Sequence, residues 1–242
     1  MKKIIVHGLN SFIGINCKKL LNKRYEIIKF KKNLKLKNSK NYYFFHLSAM
    51  TSVLKSFENP KLTIDTNNRL LLESLEFCRN YKVKLVFFST VYQRENKKFS
   101  SPYSFSKSIC ERICEYYSSE FKMDICIIRL SNVYGNHQKK NLISDMIKKL
   151  KFKKKIQIQN YKLFRDFLYI KDLVTALEKI ISNFPKKINI FNISQNKNLK
   201  IIKAISIIKE ILNSETFLDT TNNRNLQTTF KNVKISNYKF RK

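Results

Sequence analysis

The chain has 242 residues, 43% of them hydrophobic, and 49 basic against 17 acidic side chains give a formal net charge of +32. That length buries one substantial core with room for a small appended lobe, and the lack of any apolar run of about 18 residues excludes a membrane span. Nine of the 49 basic residues are Arg, the lysines are spread along the whole chain and Trp is absent. The charge therefore reads as an AT-rich coding bias rather than a face built for nucleic acid, which gathers Arg and aromatics on one element. An anionic partner is the competing reading of the same charge. The five cysteines (17, 78, 110, 114 and 126) form no CxxC pair, and the three histidines (7, 46 and 137) add no metal-ligand spacing. Free thiols in a reducing cytoplasm, and no bound metal, are the expectation.

The opening MKKIIV resembles a signal peptide only superficially. His7, Asn10 and Asn16 break its apolar stretch, and Ile15 and Asn16 stand where a cleavage site wants small residues. Residues 3–6 read instead as a first buried strand, running through a turn into a helix over 12–21. Further strands are expected at 26–30, 42–47, 85–89 and 125–129, and further helices at 62–81, 104–121, 143–149, 172–181 and 200–212. This alternation of short apolar strands with helices predicts an α/β fold with a parallel sheet covered on both faces. The expected division is a dinucleotide-binding core over 1–135, to which later segments return, and a mixed lobe over 136–242. The lysine-rich run at 148–155 reads as a solvated helix end and loop, and the polar tail from about 213 as poorly ordered.

Three groups of residues carry chemistry. Glycine is scarce, three residues (Gly8, Gly14 and Gly135) where an average usage of about 7% gives roughly 17. Two of the three frame the turn after the first strand, where a phosphate-binding loop needs residues without a Cβ and helix N–H groups face the anion. An ordinary strand–helix turn is the simpler alternative. Tyr103 and Lys107 form a YxxxK spacing at the opening of a helix, one turn apart on one face. A nearby ammonium favours the phenolate and lowers the Tyr pKa, which suits proton exchange with a sugar or alcohol hydroxyl. Just upstream, Ser89 and Thr90 end a buried strand at the carboxyl edge of the sheet, where ligands of such folds bind.

The order and spacing of these groups resemble the extended short-chain dehydrogenase/reductase family, in particular its NAD(P)-dependent sugar-nucleotide epimerases, dehydratases and reductases. His46-Leu47-Ser48-Ala49 is similar to that family's HLAA strand end. Ser52-Val53, Ser56 and Asn59-Pro60 follow as in epimerases. The segment from Arg129 to Gly135 resembles RxxNVYG, that from Arg165 to Asp172 resembles RDFVYVDD, and Phe191-Asn192-Ile193-Ser194 resembles YNIG. The match runs from residue 1 to about 212. It implies a Rossmann-type doubly wound sheet with a small C-terminal substrate lobe, and NAD or NADP as cofactor. It places Gly8, Ser11, Phe12, Ile13 and Gly14 at the dinucleotide pyrophosphate. Leu47, Ser48 and Ala49 would line the cofactor cleft, with Asn67 reaching it. Tyr103 would be the acid/base, Lys107 would hold the nicotinamide ribose and tune Tyr103, and Thr90 or Ser89 would orient the sugar hydroxyl. Asn132 and Arg165 would contact the substrate diphosphate, which suits a guanidinium; a salt bridge from Arg165 to Asp166 or Asp172 is the alternative.

Four departures qualify the resemblance. Ser11 replaces the middle glycine of the loop. Phe30-Lys31-Lys32-Asn33 stands where an acidic residue usually closes the second strand, and Lys31 there leans toward the 2′-phosphate of NADP. The link from Phe30 to the HLSA strand is too short for the usual insertion, so the sheet should be reduced by about one strand–helix unit. Ser89-Thr90 runs straight into Val91-Tyr92 with no acidic pair, which argues against a 4,6-dehydratase. The expected activity is hydride transfer at C4 of a nucleotide-activated sugar, as a 4-keto-sugar reductase or a 4-epimerase. A non-catalytic dinucleotide-binding module of the same fold is the alternative. The expected partner is a nucleotide sugar, with no specific nucleic acid. A homodimer through the 104–121 helix is what the family's habit implies, as is a place in surface-polysaccharide precursor synthesis.

Overall fold

The computed structural model describes residues 1–220, apart from 38, 96, 97, 140, 159 and 160. Strand β1 (Lys2–His7) leads through a turn to α1 (Phe12–Leu21) and back to β2 (Tyr25–Lys29). Then come β3 (Tyr42–His46), α2 (Val53–Glu58), α3 (Pro60–Tyr81) and β4 (Lys84–Thr90). A small hairpin of β5 (Arg94–Glu95) and β6 (Lys98–Phe99) precedes α4 (Pro102–Glu120) and β7 (Ile125–Leu130). The remainder holds β8 (Asn132–Tyr134), α5 (Leu142–Phe152), β9 (Lys155–Gln157), β10 (Phe164–Tyr169), α6 (Ile170–Ser182), β11 (Ile188–Ile193), β12 (Asn198–Lys200), α7 (Ile201–Ile211) and β13 (Phe217–Asp219).

Six strands form one sheet in the order β11-β7-β4-β3-β1-β2, every neighbouring pair parallel. Alternate residues feed the two faces, as the pleat demands. Ile4, Val6, Val86, Phe88, Cys126 and Ile128 meet α1 and α6 on one side. Ile5, Leu85, Phe87, Ile125 and Ile127 meet α3 and α4 on the other. This is the doubly wound α/β fold expected. β2 and β3 leave β1 on opposite sides, so the crevice for a ligand opens at the carboxyl ends of β1 and β3. The link over 30–41 contains neither helix nor strand among its described residues, and β2 is the edge of the sheet.

α6 and β11 return to the sheet: α6 packs against α1, and β11 pairs with β7. The lobe over the sheet combines β8, β10 and β12 with a third core of Met146, Leu150, Ile156, Ile158, Ile201 and Ile205. The first residues of the tail, 213–220, are held in place. Ser214 Oγ and Thr216 Oγ1 donate to the Leu150 carbonyl at 2.7 and 3.1 Å, and β13 pairs in parallel with β9. Short hydroxyl side chains turn the chain there and a strand follows, which polar composition alone hides; the tail beyond 220 lies outside the described residues. Among the described residues no helix is long and apolar enough to cross a membrane.

Candidate active site

The first glycine turn is built as tightly as its composition implies. Gly8 has φ +94°, and a Cβ on it would lie 2.9 Å from the Ser48 nitrogen. Gly14 sits inside α1, yet a Cβ there would lie 2.6 Å from the carbonyl oxygens of Gly8 and Leu9. Ser11, the departure from the loop pattern, is the N-cap of α1, its Oγ accepting from Gly14 N at 3.2 Å. The amides of Phe12 and Ile13 follow in the first helical turn, where no preceding carbonyl of the helix can take them. Leu47 N donates to His7 O at 2.8 Å, which seats the end of β3 beside the turn. Beneath both, the Nδ1 atoms of His7 and His46 lie 2.9 and 2.8 Å from Ser74 Oγ on α3.

At the carboxyl end of β4, Ser89 and Thr90 are buried. α4 opens with a capping box in which Ser101 and Ser104 bond each other's backbone, with Pro102 in the first turn. That cap fixes Tyr103 in the first turn and Lys107 one turn on. Lys107 is 4% exposed; its Nζ donates to Phe88 O at 2.8 Å and lies 4.8 Å from the centre of the Phe87 ring. Burial lowers the Lys107 pKa. For Tyr103 the structure overturns the expected lowering. Desolvation, with a smaller contribution from Cys110, pushes the phenol up to about 12. Tyr103 is therefore a protonated donor, one turn from the buried Lys107.

A cleft of about 500 Å³ lies between the sheet and the lobe. Ser89, Thr90, Tyr103 and Lys107 all line it, as do Ile13, Leu47 and Ala49 from the cofactor side. Asn132 and Arg165 line the lobe side. Arg165 stands 5.8 Å from the Tyr92 ring centre, while Asp166 spends its carboxylate on the backbone N–H groups of Gln195 and Lys197 at 3.0 and 2.9 Å. Asp172 accepts from Gln195 Nε2. Gly8, Ser11, Phe12, Gly14 and Ser48 form the turn below this cleft rather than its wall. Asn67 is also outside the wall. Its amide bonds Met50 N, Met50 O and Ser106 Oγ at 2.7, 3.2 and 2.9 Å, so it clamps the segment after β3 to α4. Lys31 is exposed just past β2 and does not line the cleft.

Sequence reasoning missed three wall or near-wall residues. The Tyr92 hydroxyl accepts from Asn132 Nδ2 at 2.8 Å and Asp166 N at 3.3 Å, joining the hydroxyl segment to the lobe. Gln93 follows it. Ser131 is 7% exposed and lines the cleft, and its Oγ has no hydrogen-bond partner among the described residues. A buried polar group without a partner is rare in a native fold. A nicotinamide dinucleotide, with polar groups along its length, fits a wall holding that orphan and Lys107 with the α1 amides in the turn below it. The polar residues after a strand end were the available signal for Tyr92 and Ser131.

A family model described as the NAD dependent epimerase/dehydratase family matches residues 4–194. The chain belongs to that family and is an NAD(P)-dependent enzyme of the extended short-chain dehydrogenase/reductase type. It is similar to a Bacillus subtilis protein named as an uncharacterized UDP-glucose epimerase, at 27% identity over 86% of this chain and 82% of that one. It is also similar to a Dictyostelium discoideum dTDP-D-glucose 4,6-dehydratase, at 30% identity over 69% of this chain but 44% of that one. Among solved structures, a UDP-glucose 4-epimerase from Thermotoga maritima, with UDP-glucose, superposes with a TM-score of 0.79 at 23% identity, covering 93% of this chain and 87% of that one. A Bacillus anthracis dTDP-4-dehydrorhamnose reductase in complex with NADP gives a TM-score of 0.78 at 19% identity, covering 94% and 87%.

Proposed function

We propose that the protein transfers hydride at C4 of a nucleotide-activated sugar, with Tyr103 exchanging the proton of the C4 oxygen. The observation that carries this reading is one cleft walled by Tyr103, Lys107, Ser89 and Thr90 on the sheet side and by Asn132 and Arg165 on the lobe side. The dinucleotide, when bound, supplies or accepts the hydride. Tyr103 gives its phenolic proton to the C4 oxygen as a carbonyl is reduced, and takes it back in the reverse direction. Lys107, buried one turn away, stabilises the phenolate that this leaves. Ser89 and Thr90 orient the same oxygen, and Arg165 pairs with phosphate oxygens of the substrate. The first-turn amides of Phe12 and Ile13, behind Gly8, Ser11 and Gly14, face the cofactor's pyrophosphate. Leu47 and Ala49 supply apolar wall. The relatives named for UDP-glucose and dTDP-glucose chemistry support a nucleotide sugar as the substrate class. Five buried, unpaired cysteines support work in a reducing cytoplasm.

The test is a screen of UDP- and dTDP-sugars with NAD(P)H, following nicotinamide absorbance and product stereochemistry. A reductase consumes NADPH one for one with a 4-keto sugar; a 4-epimerase interconverts C4 epimers with no net change in absorbance. Unchanged turnover in Tyr103→Phe would refute the assignment.

A further inference from the structure

We infer that Gln93 is a positioning residue for this site: anchored on the buried Glu111 carboxylate that Arg129 pairs with, it holds the Ser89 hydroxyl as a hydrogen-bond donor to the substrate's C4 oxygen. The inference rests on the hydride-transfer reading above and deepens it.

Ser89 on β4 and Arg129 on β7 are register partners in the sheet. Behind them, Glu111 projects from α4 one turn beyond Lys107 and is 3% exposed. Arg129 Nε lies 3.0 and 3.1 Å from the two Glu111 oxygens. The Gln93 amide nitrogen also donates to Glu111 Oε1. A carboxylate only accepts, so Gln93 must turn its nitrogen, not its oxygen, toward Glu111. That nitrogen carries a second hydrogen, and Ser89 Oγ lies 3.3 Å from it. The Ser89 oxygen is thereby an acceptor toward the protein, while its own proton has no acceptor among the described residues and the residue lines the cleft. Thr90 repeats the pattern, its Oγ1 accepting from Tyr92 N at 3.1 Å.

The consequence is a polarity. Two hydroxyls spend lone pairs on protein donors and turn protons to the cleft, where the protonated Tyr103 phenol also faces. Such a set matches an oxygen rich in lone pairs and developing negative charge. A sugar carbonyl has that oxygen and no proton to place, so the keto form of the substrate is the one this wall prefers.

The test compares Gln93→Met, Gln93→Lys, Ser89→Ala and the Ser89→Ala/Gln93→Met double variant with wild type. The probes are dTDP-4-keto-6-deoxyglucose with NADPH and UDP-galactose with NAD. Methionine removes both hydrogen bonds at similar volume, whereas a lysine ammonium still donates to Glu111 and to Ser89. Expected is a kcat about fivefold lower in Gln93→Met, the worth of one neutral hydrogen bond, with KM within about twofold. Gln93→Lys should keep kcat within about twofold of wild type, and the double variant should be no slower than Ser89→Ala alone. An unchanged kcat in Gln93→Met, multiplying effects in the double variant, or an equal loss in Gln93→Lys overturns the inference. A wild type inert toward both probes and across the full screen of UDP- and dTDP-sugars refutes the hydride-transfer reading instead. The same variants then decide the positioning by thermal unfolding, where non-additive melting shifts at 89 and 93 uphold it and additive ones overturn it.

Discussion

Replacing Ser131 with alanine should stabilise the protein and weaken its grip on the cofactor. Ser131 follows β7 directly; its N–H donates to Ile193 O at 3.3 Å, but its Oγ is buried against the cleft without a partner among the described residues. Leaving a buried hydroxyl unpaired costs about 1–3 kcal/mol of desolvation. Ser131→Ala removes that cost and little else, because the lost atom makes no bond with the described residues. A gain of about 1 kcal/mol raises the melting temperature of a chain this size by about 2–4 °C. Binding moves the opposite way. A ligand group that pairs with the hydroxyl recovers the desolvation cost, so its loss should raise the dissociation constant by about fivefold or more. Differential scanning calorimetry without added ligand and fluorescence titration with NADH and NADPH measure the two effects. A melting temperature that falls by several degrees would show that the hydroxyl is paired within the folded protein, and the reasoning fails. Unchanged affinity for both cofactors would remove Ser131 from the cofactor site.

Four further outcomes are expected. Gly14→Ala gains about 1 kcal/mol of helix propensity, but its Cβ would lie 2.6 Å from two backbone oxygens; a net loss of stability by chemical denaturation is expected, and a net gain would mean that α1 and the turn separate easily. Tyr103 has a pKa raised to about 12 in the fold against about 10 unfolded. The stability it adds is complete below pH ~10 and is lost as pH rises through ~12, on the order of 2–3 kcal/mol, so Tyr103→Phe should flatten that part of an alkaline stability profile. Asp166→Asn keeps one acceptor for two backbone donors that the carboxylate now holds at 3.0 and 2.9 Å; a loss of about 1.5–3 kcal/mol is expected, and an unchanged melting temperature would show that the 195–197 loop holds itself. Lys31→Ala should weaken NADPH by about threefold or more and leave NADH alone if Lys31 meets the 2′-phosphate, the one group that answers to that charge; equal effects on both would refute that role for Lys31.

The elements that were legible were those whose periodicity serves burial. Strands 3–6, 85–89 and 125–129 are apolar on both faces because helices cover both faces, and each appears within a residue or two of its expected bounds. The cleft residues Tyr103, Lys107, Ser89, Thr90, Asn132 and Arg165 were legible because strand ends and one helix cap put them at one edge of the sheet. Other features were not legible, for physical reasons. Asn67 is read from sequence as polar and near the ligand, but only the folded chain shows Met50 and Ser106 using its whole amide. The Tyr103 pKa is set by how deeply the folded chain desolvates the phenol, which the YxxxK spacing does not carry. β13 is a three-residue strand whose pairing partner lies some sixty residues away in the chain, too short and too distant for any local pattern.

The short link over 30–41 shows how a trimmed fold keeps its ligand edge. With β2 at the edge of the sheet, its outer side must resist pairing with other chains, and the strand carries exposed charges at Glu26 and Lys29. The space beside the strand ends still has to be filled. Phe30 does so, its ring centre 4.9 Å from His7, 5.1 Å from Phe44 and 5.2 Å from Phe77. Leu34 and Leu36 pack on the same core, and Lys32 pairs with Glu73 on α3 at 3.0 Å. The residue that closes β2 is thus committed to packing and cannot also present a carboxylate to a ribose. One aromatic side chain therefore fills the space beside the strand ends, packing His7, Phe44 and Phe77 together where a longer link would otherwise give cover.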